Sequence, residues 1–374
     1  MKKTKVVIAS LLKPIDDTRM YDKFGLSMAE TNKYDINIIG FDSKNVRTHE
    51  GITFHPHGPF GRLSFQRLIH PFKVFKKYIQ LKPEIIIANT HELLIVSSVY
   101  KILFGSKLIF DLRENYVKNI RFTQVFHPAV RPFLAVWVRM KEWLSRPFIN
   151  HYILAERVYN KQLPFLSKRV TVIENKYAQQ THESTAYRNP DPEYIDLLYT
   201  GTISESNGVF DAIDITKSLH LCDPKVRLRI VGYCALKKDL MRLHKEIEHY
   251  EFIELNGGDH LVPHLEIIEA IQKADFGFVL KRSNGGINDD KILTRLFEYT
   301  ANKLPILLLN NPTWLQFCAE FNAAIEVNPD DFDAKTLLNT MKTKTFYDRG
   351  NASSSLWSSE KPKLLNLLEE LSGQ

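Results

Sequence analysis

Short, continuously apolar runs alternate with stretches of helical period along the whole chain. Lys5–Ser10 (KVVIAS), Ile36–Phe41 (INIIGF), Glu84–Asn89 (EIIIAN), Lys107–Leu112 (KLIFDL), Tyr152–Ala155 (YILA) and Val170–Glu174 (VTVIE) read as strands. They are uniformly apolar, as parallel strands covered on both faces should be. Helical segments are expected between them, around Tyr21–Thr31, Ser64–Leu81, Leu93–Leu103 and Phe133–Ser145. A polar stretch with two prolines, Ala178–Glu193, reads as a linker. The rhythm then restarts, with strands at Asp196–Thr200, Arg227–Val231, Phe252–Leu255, Phe276–Leu280 and Pro305–Leu309. An amphipathic last helix, near Lys361–Leu371, is expected to return to the first domain. The fold class is therefore α/β, with two doubly wound, Rossmann-like domains facing a cleft. The boundaries are a first domain over 1–177, a linker over 178–193, a second domain over 194–355 and a returning segment over 356–374.

Composition narrows the setting. No run of about 18 apolar residues occurs, so no transmembrane helix is expected. The opening MKKTKVVIAS is too short in its apolar part for a secretory signal and reads as the first strand. Three cysteines (Cys222, Cys234, Cys318) without ligand spacing fit buried small hydrophobes in a reducing, cytoplasmic compartment, with no metal site. Up to Asn175 the chain has 28 Lys and Arg against 14 Asp and Glu; the remainder has 22 against 29. The basic half should face something anionic: a membrane surface, a lipid phosphate or nucleic acid. No nucleic-acid-binding motif supports the last.

Candidate chemistry gathers at strand ends. Asp196–Thr200 runs into Gly201, Thr202, Ile203 and Ser204, and a helix begins near Val209. Such a turn can bring backbone close to a phosphate, or can be an ordinary βα turn capped by Ser206 or Asn207. Further on, Lys281, Arg282, Gly285, Gly286 and Asp290 precede a helix expected over Lys291–Asn302. Its spacing puts Lys291, Arg295 and Glu298 on one face, either for a ligand or as a solvated Arg295–Glu298 pair.

LLYTGTISESNG, ADFGFVLKRSNGG and TRLFEYTANKLP, in this order, resemble the donor domain of family-4 retaining glycosyltransferases. KPIDDTRMYDKFGLSMAETNKYDINIIG resembles the first βαβ unit of the same enzymes. The resemblance implies the two-domain GT-B fold and a nucleotide diphosphate sugar as donor. It implies that Glu298 holds the ribose hydroxyls and that Arg295 neutralises the diphosphate. Asp290 stands where the family often has a glutamate near the sugar, although a helix N-cap is the plain alternative. In a continuous helix the Asp290 and Glu298 carboxylates would lie about 12 Å apart, able to hold opposite ends of a nucleotide sugar. Two departures shift the load: Thr202 and Asn207 replace an arginine and a lysine common in relatives. Arg295, Lys281, Arg282 and helix N-termini must then meet the diphosphate.

On the acceptor side, Asp17 and Arg19 follow the first strand, His91 and Glu92 the Glu84–Asn89 strand, and Arg113, Glu114 and Asn115 the Lys107–Leu112 strand. Many relatives carry a cleft histidine where Arg113 stands. Arginine stays protonated and cannot be a base, though it can bind phosphate. Glu114 is the first choice to orient the acceptor hydroxyl, with His91 and Glu92 as alternatives, or the leaving diphosphate takes the proton. Between Pro132 and Pro147, Phe133, Trp137, Met140 and Leu144 form an apolar stripe on a basic helix. It can lie in a membrane interface or pack on the sheet.

The expected activity is transfer of a sugar from a nucleotide diphosphate sugar to a hydroxyl of a saccharide or lipid-linked acceptor. Retention is expected, with neither metal nor other cofactor, in surface polysaccharide or glycolipid assembly. Expected partners are the donor, the acceptor and an anionic membrane surface, not nucleic acid; the location is cytoplasmic, peripheral on the inner face of the membrane. A nucleotide-sugar epimerase of this fold and a catalytically silent nucleotide-sugar-binding protein are the alternatives.

Overall fold

A computed structural model of the chain describes residues 2–43, 48–61, 64–122, 126–163, 165–166, 169–179, 193–282 and 291–373. The chain divides into two units, Met1–Ala178 with Trp357–Gln374, and Gln179–Leu356.

The first unit is built on seven strands: β1 (Thr4–Pro14), β2 (Tyr34–Phe41), β3 (Ile52–His57), β4 (Ile85–Ala88), β5 (Lys107–Leu112), β6 (His151–Leu154) and β7 (Val170–Val172). All pair in parallel, in the order β3-β2-β1-β4-β5-β6-β7. Its helices are α1 (Leu26–Ala29), α2 (Gln66–Leu81), α3 (Leu94–Phe104), α4 (Tyr116–Phe122), α5 (Arg131–Ser145), α6 (Tyr159–Gln162) and the C-terminal Lys361–Ser372. The uniform apolarity of β1 has a direct cause. Val6 and Ile8 pack on one side with Leu364, Leu367 and Leu368 of the C-terminal helix. Val7, Ala9 and Leu11 pack on the other with Val74, Tyr78, Val96 and Tyr100 of α2 and α3. The expected return of the last helix to the first sheet is thus found.

The second unit repeats the plan with β8 (Ile195–Thr202), β9 (Val226–Tyr233), β10 (Ile253–Gly258), β11 (Phe276–Val279), β12 (Ile306–Leu308) and β13 (Ala324–Glu326), again all parallel. Their order is β10-β9-β8-β11-β12-β13. The helices are α7 (Val209–Cys222), α8 (Lys237–Ile247), α9 (His264–Lys273), α10 (Thr294–Ala301), α11 (Pro312–Ala319) and α12 (Ala334–Thr343). The Lys361–Ser372 helix is α13 in chain order. Both units are therefore Rossmann-like, and in each the strand order reverses at one point: β1/β4 in the first, β8/β11 in the second. The carboxyl ends there form the crevice in which ligands of open α/β sheets bind.

Several expectations need correction. Two edge strands were not apparent in the sequence. β3 (ITFHPH) contains Pro56 and polar side chains, which an edge tolerates, and β13 has only three residues. The single helix expected over Tyr21–Thr31 opens as a wide π turn, Arg19–Gly25, before α1. The helix expected from Lys291 starts only at Thr294, so Lys291 leaves the shared face and its carbonyl instead accepts a hydrogen bond from Trp314 Nε1 at 2.7 Å. Cys234 and Cys318 are buried, but Cys222, at the end of α7, is exposed. The linker residues 180–192 lie outside the described residues, as does Arg62, one of the cationic residues expected to add charge to the first domain.

Candidate functional site

In the second unit three adjacent strands carry a glycine near their carboxyl ends, on β8 one residue before the last. Gly201 pairs with Gly232 on β9, and Gly232 with Gly257 on β10. A Cβ at Gly232 would lie 1.8 Å from the Gly201 carbonyl oxygen, so a side chain cannot fit. Gly201 has φ +99°, a conformation that favours glycine, and a Cβ there would lie 2.8 Å from Arg295 Nη2. The guanidinium of Arg295 thus lies directly against the β8 end. It also stands 4.8 Å from the centroid of the Tyr199 ring and donates to the Phe278 carbonyl at 3.4 Å. No carboxylate among the described residues pairs with it.

The segment after Gly201 folds around Tyr199. The Tyr199 hydroxyl donates to the carbonyls of Thr202 (2.9 Å) and Asn207 (3.3 Å), and Asn207 Nδ2 donates to Thr202 O at 3.0 Å. Ser204 precedes a 3₁₀ turn, Glu205–Asn207, with its hydroxyl 3.2 Å from that of Ser206. Gly208 (φ +80°) then leads into α7. Asn207 is a loop brace here, not a capping side chain for α7.

α10 is fixed beside this turn by buried Leu296, Phe297, Tyr299 and Thr300, with Tyr299 Oη 3.0 Å from Thr200 Oγ1. An Arg295–Glu298 ion pair does not form. The Glu298 carboxylate instead meets His264 Nε2 at 2.9 Å, at the start of α9, and is 13% exposed. Arg282 is committed elsewhere. It makes two hydrogen bonds to Asp211 (2.7 and 3.0 Å) and two to Asp330 (2.8 and 2.9 Å), which raise its pKa further. Its charge is already compensated, a poor arrangement for meeting a diphosphate. Lys281 follows β11 and is half-buried. Gly285, Gly286 and Asp290 lie outside the described residues.

In the first unit most of the strand-end groups serve one another. Arg19, expected to face a ligand, is fully buried and makes a bidentate ion pair with Asp111, Nε–Oδ2 2.9 Å and Nη2–Oδ1 2.7 Å. Asn89 Nδ2 donates to the same carboxylate at 2.7 Å, and Arg19 Nη2 also reaches Ile173 O. Asp17 accepts both Arg113 nitrogens, at 2.9 and 3.1 Å. Burial pushes the Asp17 carboxyl upward, but Arg113 outweighs it and holds the pKa below the usual value. Asn115 accepts from Lys118 N at the start of α4 and donates to Gln162. Glu114 is exposed, its carboxylate accepting from Asn119 at 2.7 Å.

His91 and Glu92 belong to a buried network. Lys141 Nζ lies 2.9 Å from His91 Nδ1, His91 Nε2 is 3.4 Å from Glu92 Oε1, and Arg67 pairs with the same carboxylate. Burial, reinforced by Lys141 and Arg67, lowers the His91 pKa to about 3, so the imidazole is neutral. A neutral ring here accepts from Lys141 at Nδ1 and turns an Nε2–H toward Glu92. Burial also lowers Lys141 to about 8 and raises neighbouring Glu142 to about 7.

His264, Tyr199, Arg67 and Lys141 were not singled out as site residues in the sequence. Gly232 and Gly257 carried a readable signal, a glycine at each neighbouring strand end. The others meet their partners from distant segments. Among the described residues no cluster of three or more His, Cys, Asp or Glu is arranged to hold a metal ion. A cavity of about 580 Å³ lies at the opposite end of the first sheet, lined by Thr4, Glu84, Ile85 and Lys107 among others. Lying at strand beginnings, it is not the candidate site.

No protein-family model matches the chain, and no curated protein matches it in sequence. Solved structures do match in fold. Sucrose-phosphate synthase from Thermosynechococcus elongatus superposes with a TM-score of 0.69 at 12% identity, covering 99% of this chain and 100% of that one. Anabaena Alr3699/HepE, in complex with UDP-glucose, gives 0.62 at 14% identity over 98% and 99%. The α,α-trehalose 6-phosphate synthase from Burkholderia multivorans gives 0.63 at 11% identity over 100% and 99%. The chain thus has a GT-B-type fold: two Rossmann-like domains with a C-terminal helix.

Proposed function

We propose that this protein transfers a sugar from a nucleotide diphosphate sugar to a hydroxyl acceptor, a saccharide or a lipid-linked saccharide, with retention of anomeric configuration. The observation that carries the proposal is the placement of Arg295 and Glu298 at the β8/β11 switch point. A guanidinium that meets no carboxylate among the described residues lies against Gly201 near the strand end, with a carboxylate one helical turn away. The spacing suits a diphosphate and a ribose diol, since a carboxylate can accept two hydrogen bonds from a diol. The Anabaena structure holds UDP-glucose in the same fold, which supports the choice of ligand class.

In the proposed reaction the acceptor hydroxyl oxygen bonds to the anomeric carbon as the bond from that carbon to the diphosphate oxygen breaks. The electron pair leaves with the diphosphate, whose developing charge Arg295 and the α7 N-terminus stabilise. The hydroxyl proton passes to the departing diphosphate or to Glu114, the exposed carboxylate beyond β5. His91 and Glu92, held by Lys141 and Arg67, support the first-unit loops from within.

Glu298→Gln should weaken nucleoside diphosphate binding by about 1–3 kcal/mol, the usual cost of losing a charged acceptor. The same change should have little effect on the corresponding 2′-deoxy compound, which lacks one of the hydroxyls. Calorimetry on both ligands checks this. Equal losses would remove Glu298 from the ribose.

A further inference from the structure

We propose that the outer sides of α2, α3 and α5 form a docking surface for an anionic lipid bilayer. The inference uses the first unit alone and does not depend on the sugar-transfer reading. α3 packs between α2 and α5, so the three helices make one continuous layer. Their inward sides bury Val74 and Tyr78, Val96 and Tyr100, and Ala135 and Val138, together with the Lys141 and Glu142 side chains of α5. The apolar stripe on α5 does not pack on the sheet. Phe133 is 76% exposed, Trp137 48% and Trp143 64%. Phe72 on α2 and Ile102 and Phe104 on α3 are exposed in the same way. Scattered surface leucines need no explanation, but aromatic and aliphatic side chains standing out from three adjacent helices do.

Charge selects the occupant. Between residues 64 and 150 there are 14 Lys and Arg against 5 Asp and Glu, and of these five Glu92, Asp111 and Glu142 are buried. Glu142 is the only acidic residue on α2, α3 and α5, whereas Lys73 and Lys76 are exposed on α2. A cavity of about 480 Å³ at the end of α5 is lined by Trp143, Leu144, Arg146, Pro147, Ile149 and Arg169. It pairs an apolar wall with two guanidinium groups, the chemistry of a lipid phosphate and the start of its acyl chains. A second copy of the chain fits less well, because a symmetric contact would set two cationic surfaces against each other. An apolar face fringed by Lys and Arg, with aromatic side chains outermost, is the pattern of an element lying in a membrane interface. Among the described residues no helix is long and apolar enough to cross a membrane.

The test is sedimentation of the full chain with vesicles of phosphatidylcholine alone or mixed with phosphatidylglycerol, together with tryptophan emission. The protein has four tryptophans, and Trp314 and Trp357 are buried, so an emission change on binding reports Trp137 and Trp143. Wild-type protein should sediment with the mixed vesicles, shift its emission to the blue, and be released by salt. Phe133→Ser with Trp143→Ser should partition about tenfold to a hundredfold more weakly, from the loss of two buried aromatic side chains. Lys73→Gln with Lys76→Gln should cost about tenfold on mixed vesicles and nothing on phosphatidylcholine. Unchanged thermal unfolding of both variants shows that the fold is kept. Wild-type protein left in the supernatant with mixed vesicles at low salt overturns the proposal. So does undiminished binding by the Phe133/Trp143 variant, or a stable dimer in vesicle-free buffer that this variant dissociates.

Discussion

Arg295→Ala is expected to weaken nucleoside diphosphate binding by about 1.5–3 kcal/mol, tenfold or more, while affinity for the bare nucleoside changes little. The argument is one of competition between cations. Arg282 is nearer in sequence to the glycine-bearing loop, but two carboxylates, Asp211 and Asp330, already hold it. Among the described residues Arg295 meets a carbonyl through a long bond and the Tyr199 side chain, and no carboxylate, so an incoming diphosphate displaces no ion pair with them. Its position on Gly201 also places the charge where backbone and anion can approach each other. Arg282→Ala serves as the contrasting variant. It should lower stability through Asp211 and Asp330 and affect diphosphate and nucleoside alike. Equal losses for both ligands in Arg295→Ala would show that this residue, too, only supports its helix.

The second large effect belongs to folding. Asp111→Ala should destabilise the first unit by about 3–5 kcal/mol, because it leaves the fully buried Arg19 charge without its anion. Asn89 would lose an acceptor at the same time. The double replacement Arg19→Met with Asp111→Leu should recover much of this loss, since a buried pair exchanged for apolar groups of similar volume is often neutral. Urea unfolding followed by far-ultraviolet circular dichroism measures both. A small loss in the single variant would mean that water reaches the pair.

These two arginines also show what a sequence can and cannot disclose. The central strands were legible because they lie between helical layers and are apolar at nearly every position, as Val6 to Ala9 on β1 are. β3 escaped because an edge strand needs no such run and tolerates Pro56. Arg295 and Glu298 were legible as neighbours on one helix face, a local relation set by 3.6 residues per turn. Their partners were not, since Tyr199 and His264 come from other elements. Arg19 reads as a polar loop residue until its partner, 92 positions away, is placed beside it. Lys141 looks like one more charge on a basic helix, yet it faces inward to His91. Local periodicity thus identifies elements and faces, whereas ion pairing over long sequence separations decides which charges remain available to a ligand.

The central claim, sugar transfer from a nucleotide diphosphate sugar, is tested most directly by following the sugar. A panel of sugar-labelled nucleotide sugars is incubated with the full chain, with and without a saccharide or lipid-linked hydroxyl acceptor, and the products are separated. The account predicts release of nucleoside diphosphate that requires the acceptor, with the label joined to the acceptor in its original anomeric configuration. Label that stays on the nucleotide with altered ring stereochemistry would identify an epimerase. Label that is bound but never moved, across the panel, would contradict transfer altogether.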